Sequence, residues 1–228
     1  MAGEAADTAP GRAERLGTRR VDTALPALVR AFWDYEETVH LLPSARRRRR
    51  VLPRYLLSDL CDARRAGQLW VVAEGSDILG AAAWLAPGAY PVSPWRQVAQ
   101  GAHLAPALPW GLGTLREAWR GRDVNRRHHA GFRPHYWLMA LGVEPRRQGE
   151  GLGSSLLAPV LELADESATG CFLFTARPAN TAWYERFGFR VQAEYRPTPT
   201  WPTVWSMWRD PLPPQPGESL RPVRPPRG

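Results

Sequence analysis

At 228 residues and 44% hydrophobic content, the chain can bury one sizeable core, which points to one domain or a domain with tails. It holds no run of about 18 apolar residues for a membrane helix, and its first 17 residues lack the apolar centre of a secretory signal, so the cytoplasm is the expected compartment. The net charge of +8 is carried by arginine alone, the chain having no lysine; with its abundant Ala, Pro and Gly this reads as coding bias toward G and C, so no nucleic-acid partner is expected.

In chain order, residues 1–17 are expected to form a disordered tail, 18–210 the folded domain and 211–228 a second tail too rich in proline to pack. Residues 18–23 suggest a first strand and 26–35 a helix. The arginine run at 46–50 suggests the solvated start of a helix or an attractor for an anionic ligand, and 54–65 another helix. QLWVVAE at 68–74 and ILGAAAWLA at 78–86, parted by Gly75-Ser76-Asp77, read as a hairpin. Residues 87–110 hold five prolines with Trp95 and Trp110 and suggest an irregular excursion, followed by a helix over 112–129. YWLMALGV at 136–143 is apolar almost throughout, as in a central strand covered on both faces. Leu152, Leu156, Leu157, Val160, Leu161 and Ala164 then recur at helical spacing, with Pro159 predicting a kink or compensating packing. Residues 171–175 suggest a strand, 181–187 a short helix, and 189–195 and 203–209 two closing strands. Cys61 and Cys171 lie far apart in no metal-ligand spacing and are expected to be reduced; no metal site is expected.

Between the central strand and the long helix lies LGVEPRRQGEGLGS. The first amides of a helix lack carbonyl partners, and the helix dipole adds positive charge there. Gly149, Gly151 and Gly153 keep side chains away, so a diphosphate can approach the amides of Gly149, Glu150, Gly151, Leu152, Gly153 and Ser154. The dinucleotide pattern GxGxxG fails at Ser154, and the nucleoside triphosphate loop fails for want of lysine.

What remains, Gln148-x-x-Gly151-x-Gly153, resembles motif A of the GNAT N-acetyltransferases, and NTAWYERFGF at 180–189 resembles that family's second signature. AFWDYEETVH at 31–40, WVVAE at 70–74, RPANTAWYERFGF at 177–189 and WSMW at 205–208 are most similar to puromycin N-acetyltransferase and its relatives. This resemblance spans about residues 18–210 and implies an α/β GNAT fold. In that fold a mixed, mostly antiparallel sheet of about seven strands is flanked by helices and centred on a splayed parallel pair. It also implies an acetyl-CoA-dependent N-acetyltransferase in which a primary amine attacks directly. The small-molecule acceptor would be an antibiotic or aminonucleoside, met in drug resistance or natural-product tailoring. A protein or peptide N-acetyltransferase and a catalytically idle acyl-CoA sensor are the alternatives, and either a monomer or a homodimer is compatible.

Carried onto this chain, the resemblance puts the pantetheine arm of acetyl-CoA against Leu141, Gly142 and Val143 and the diphosphate on the glycine turn. Tyr184 stands at the position of the group that protonates the departing thiolate. Asn180 either contacts the cofactor or caps the following helix. Where the relatives read Leu-Glu-Thr this chain reads Leu173-Phe174-Thr175, so that carboxylate is missing. Candidates for the general base are Asp34, Glu36, Glu37, His40 and His135, with Glu37 and His135 carried forward, while Trp33, Asp34 and Tyr35 are candidates for binding the acceptor. Trp70, Trp84, Trp137 and Trp205 are expected in the core, and Trp95, Trp110, Trp119 and Trp201 in an aromatic-walled acceptor cavity.

Overall fold

The strands at the centre of the molecule read as uninterrupted apolar runs because a helical layer covers each of their faces. The computed structural model describes residues 11–17, 20–89, 112–129 and 133–213. Its first half comprises β1 (Ala13–Arg15), α1 (Leu25–Ala31), α2 (Glu36–Leu41), α3 (Ala45–Arg65), β2 (Leu69–Glu74) and β3 (Asp77–Leu85). The second half comprises α4 (Leu112–His129), β4 (Tyr136–Val143), α5 (Leu152–Glu166), β5 (Cys171–Thr175), α6 (Pro178–Glu185), β6 (Arg190–Tyr195) and β7 (Val204–Arg209). One seven-stranded sheet runs in the order β1-β2-β3-β4-β5-β7-β6, antiparallel everywhere except between β4 and β5. Among the described residues no helix is long and apolar enough to cross a membrane.

Successive side chains of a strand point to opposite faces, so neighbouring residues enter different cores. Val72, Ala82, Leu138 and Leu173 pack with Leu152, Leu156, Leu157, Val160 and Leu161 of α5. Val71, Ala81, Ala83 and Ala140 pack on the other face with Leu28 of α1 and Val51, Leu52, Leu56 and Leu60 of α3. The α5 stripe is the one its spacing predicts, and Pro159 stands inside that helix.

Four boundaries differ from the sequence expectation. The first strand among the described residues is β1, within the expected 1–17 tail: Ala13 pairs with Val72 and Arg15 with Trp70, while Val21–Ala24, expected at the end of a strand, forms a 3-10 turn running into α1. Val21, Ala24, Leu25 and Leu28 share an apolar cluster at helical spacing, and Pro26 suits a helix start, so this segment winds instead of extending. The helix expected over 26–35 breaks after Ala31 and restarts as α2. Helix α3 begins at Ala45 and so contains the arginine run and Pro53, and α6 starts at Pro178, three residues early, with proline in its first turn. Residues 90–111, which hold most of the expected excursion with Trp95 and Trp110, lie outside the described residues.

The parallel pairing of β4 with β5 covers only Tyr136–Cys171, Trp137–Phe172 and Leu138–Leu173. Beyond Leu138, β4 continues beside β3 as far as Val143, and beyond Leu173, β5 continues beside β7 as far as Thr175. The two strands therefore part at their C-terminal ends.

Candidate active site

Two features meet where β4 and β5 part, and the first is the glycine turn. Gly149 has φ +88° and Gly151, the residue that starts α5, φ +81°, a left-handed backbone that other residues enter at a cost. An added Cβ at either would meet nothing within 4 Å, so the space in front of the turn is open. Ser155 donates the first helical bond, to Gly151 O at 3.1 Å, which leaves the amides of Leu152, Gly153 and Ser154 without a carbonyl of their own helix. The Gln148 side chain donates to Val143 O at 3.3 Å and fixes the turn to the end of β4.

The second feature is a polar hub at the end of β5. Thr175 Oγ1 lies 3.2 Å from the Tyr35 hydroxyl and accepts from Asn180 Nδ2 at 3.2 Å and from the Arg177 amide at 3.3 Å. The Ala176 amide donates to the Tyr35 hydroxyl at 2.5 Å. Arg177 Nε donates to both Glu36 carboxylate oxygens at 3.0 and 3.2 Å, its Nη2 donates to Asp34 O at 3.3 Å, and its guanidinium lies 5.5 Å from the Tyr35 ring centre. Residues about 140 positions apart thus fasten the α1–α2 turn to the mouth of the gap.

Burial pushes the Glu37 carboxyl, in the first turn of α2, up to about 7. The Tyr35 phenol is pushed up to about 12, chiefly by burial and against its bonds to Thr175 and Ala176. Tyr184 is raised by burial and then by Tyr35, and Tyr195 by burial and then by Glu37. Tyr35 thus acts on Tyr184, and Glu37 acts on Tyr35 and Tyr195. Phe174 packs with Tyr35, Leu41 and Tyr195 around Trp201 and Val204, so the strand position expected to lack a carboxylate is part of an apolar wall. Beside it an open cavity of about 530 Å³ has Asp34, Glu36 and His40 on one side and Arg196, Thr200 and Trp201 on the other.

The acetyltransferase (GNAT) domain family matches residues 111–191, which run from α4 through the glycine turn to the start of β6. The fold is the GNAT acetyltransferase fold. A Corynebacterium glutamicum structure described as histone acetyltransferase HPA2 and related acetyltransferase is 17% identical, with a TM-score of 0.62, covering 90% of this chain and 98% of that one. Arylalkylamine N-acetyltransferase 2 from Aedes aegypti is 14% identical with a TM-score of 0.60, covering 87% and 98%. PaiA N-acetyltransferase from Thermoplasma acidophilum, solved with coenzyme A, is 11% identical with a TM-score of 0.50, also covering 87% and 98%.

Within this GNAT frame, Leu141, Gly142 and Val143 line the edge of β4 that β5 has left, and the Tyr35 hydroxyl reaches Thr175 and Ala176 at the end of β5, where its charge state is felt by Tyr184. Gly142 has a packing reason of its own, since a Cβ there would stand 2.7 Å from Leu28 and 2.9 Å from Ala31 of α1. Asn180 lies inside α6 and bonds Thr175, so it does not cap that helix. Trp33 packs beneath Arg48, whose guanidinium lies 5.1 Å from its ring, and Asp34 is exposed at the cavity rim. Trp84 is fully buried, while Trp70, Trp137 and Trp205 are half-buried; Trp201 lines the open cavity, as expected, although only 2% of it is exposed. His135 stands apart from the rest. It precedes β4 at the end where the strands are still paired, with Nε2 2.7 Å from His129 Nε2 and Nδ1 2.5 Å from Arg133 O. Thr175, Arg177 and Tyr195 were not singled out in the sequence, although a threonine closing the apolar run CFLF was a readable signal for the first.

Proposed function

We propose that the protein is an acetyl-CoA-dependent N-acetyltransferase that acetylates a primary amine of a small molecule by direct attack. The observation that carries this reading is the parting of β4 from β5 between an anion-competent glycine turn and a carboxyl held near neutral pKa. Acetyl-CoA, when bound, supplies the acetyl group as an activated thioester. The amides of residues 149–154 would hold its diphosphate, and the free edge of Leu141–Gly142–Val143 its pantetheine arm.

Glu37 takes the proton from the incoming ammonium. A backbone N–H between Met139 and Leu141 is suited to stabilising negative charge on the carbonyl oxygen, and a preorganised donor of this kind is worth about 3 kcal/mol. Tyr184 stays protonated because burial raises its phenol, and it serves as a hydrogen-bond donor to the departing sulfur. A complete proton transfer from a phenol above its usual value of about 10 to a thiolate of about 8.5 runs uphill, so the sulfur leaves as a thiolate and takes up the second proton, released by the acetylated nitrogen. The acceptor enters through the cavity between α2 and the β6–β7 connection, and His135 takes no part.

The Trp201 and His40 rings at the cavity support an acceptor with a planar body, such as an aminonucleoside antibiotic. This agrees with the resemblance to the puromycin N-acetyltransferases and suits a cytoplasmic enzyme of drug resistance or natural-product tailoring. Mass spectrometry of amine libraries incubated with acetyl-CoA and the protein tests it. Acetylated aminonucleosides or arylalkylamines are expected; acetylation of small aliphatic amines alone defeats the aromatic acceptor, and acetylation of peptide N-termini alone moves the reading to a protein substrate.

A further inference from the structure

The glycine turn carries an acidic side chain, Glu150, in sequence next to the amides proposed to hold a diphosphate. Glu150 immediately precedes Gly151, the residue that starts α5. Arg147 Nε donates to the two Glu150 oxygens at 2.9 and 2.8 Å, while Arg147 Nη1 donates to Glu74 Oε2, at the end of β2, at 2.7 Å. Two carboxylates and one guanidinium leave this chain of ion pairs with one net negative charge at the mouth of the turn. A carboxylate beside a helix N-terminus is stabilised by the partial positive charge of the unpaired amides. A diphosphate is drawn by the same charge. The two anions want one place.

We infer that Glu150 is a built-in competitor of the coenzyme diphosphate, and that Arg147, anchored on Glu74, is the positioning residue that draws the Glu150 charge aside and neutralises it. This rests on the reading of the turn as the coenzyme site. Glu150 steadies the empty turn and weakens coenzyme binding, so one substitution moves the two properties in opposite directions. A merely structural role would move them together.

The test is calorimetry of coenzyme A with the full-length protein and with Glu150→Gln, Arg147→Ala and the double variant, alongside thermal melting of each without ligand. Glu150→Gln is expected to bind coenzyme A two- to fivefold more tightly while melting slightly lower, and Arg147→Ala to bind it two- to fivefold more weakly. The double variant should return close to the parent, since Arg147 then has no Glu150 charge to cancel. The differences should shrink as salt is raised, and they should vanish for S-acetylpantetheine, which lacks the diphosphate. If the parent binds coenzyme A but Glu150→Gln binds it no more tightly, or if S-acetylpantetheine responds equally, the inference is overturned and the site assignment stands. If the parent takes up no coenzyme A, the site assignment itself falls.

Discussion

A carboxyl that titrates near 7 is half ionised in neutral solution, which lets one group accept a proton and release it again at working pH. With Glu37 as the base, kcat/KM should climb about tenfold per pH unit below about 7 and level off above it. Glu37→Gln should remove that limb and lower kcat by about 10²- to 10⁴-fold while leaving the affinity for coenzyme A unchanged, which a pH–rate series and calorimetry would measure. The same group makes a stability prediction of definite sign. Its pKa rises from 4.5 to about 7 on folding, so the folded chain binds more protons than the unfolded one across that window. The contribution is fully present below about pH 4.5 and is lost as pH rises through about 7. Glu37→Gln should therefore stabilise the protein at about pH 8 by at most about 3 kcal/mol and change little at about pH 4, as read by urea unfolding. Tyr184→Phe removes a donor and no charge. A fall in turnover of about 10²-fold or more with coenzyme binding intact is expected, and undiminished turnover would leave Tyr184 as packing against Trp183 and Phe189.

At the scale of elements, the gap depends on α1 lying close against β4, and Gly142 permits that approach. A methyl group there would sit 2.7 Å from Leu28 and 2.9 Å from Ala31. Gly142→Ala should cost about 1–3 kcal/mol and lower turnover, because α1 leads directly into the turn that carries Tyr35 and then into α2 with Glu37. Gly149→Ala meets open space and should cost about 1–2 kcal/mol through its positive φ alone; urea midpoints and activity together separate clash from backbone strain. The same contrast explains what could be read in advance. Strand β4, the turn and α5 were legible because apolar period and glycine spacing are local signals. The break between α1 and α2 was not, since it is held by Tyr35 and Arg177 reaching Thr175 and Glu36 across some 140 residues. Strand β1 escaped because an edge strand three residues long leaves almost no period to detect. His135 looked plausible beside a central strand because a sequence does not say at which end of that strand the gap will open.

Over the whole molecule, α4 ties the sheet to the acceptor side, and its attachment is sensitive to acid. Asn125 accepts from Tyr195 at 2.8 Å, Glu117 accepts from Thr198, and His129 bonds His135 beside β4. Donation from His135 Nδ1 to Arg133 O leaves its Nε2 as the acceptor of the His129 Nε2–H while both rings are neutral, and two protonated rings would set donor against donor. Burial, and then the charge of His135, push His129 down to about 4; burial also lowers His135, against its bond to Arg133. The unfolded chain, with histidines near 6.5, therefore binds more protons than the folded one as pH drops toward 4. The histidine contribution is complete above about pH 6.5 and is lost below it, by as much as about 3 kcal/mol for His129 alone. Glu37 works in the opposite sense over nearly the same range, so the parent protein shows only the difference of the two. Replacing both histidines, His129→Phe with His135→Phe, should flatten or reverse the acid loss between about pH 6.5 and 4, whereas Glu37→Gln should steepen it. Urea unfolding of the three proteins across that range separates the contributions. If the double variant weakens in acid as much as the parent, the histidine pair is not what holds α4 to the sheet, and the acid sensitivity comes from other groups, such as the Asp165 carboxylate that accepts from Arg209 at 2.7 Å.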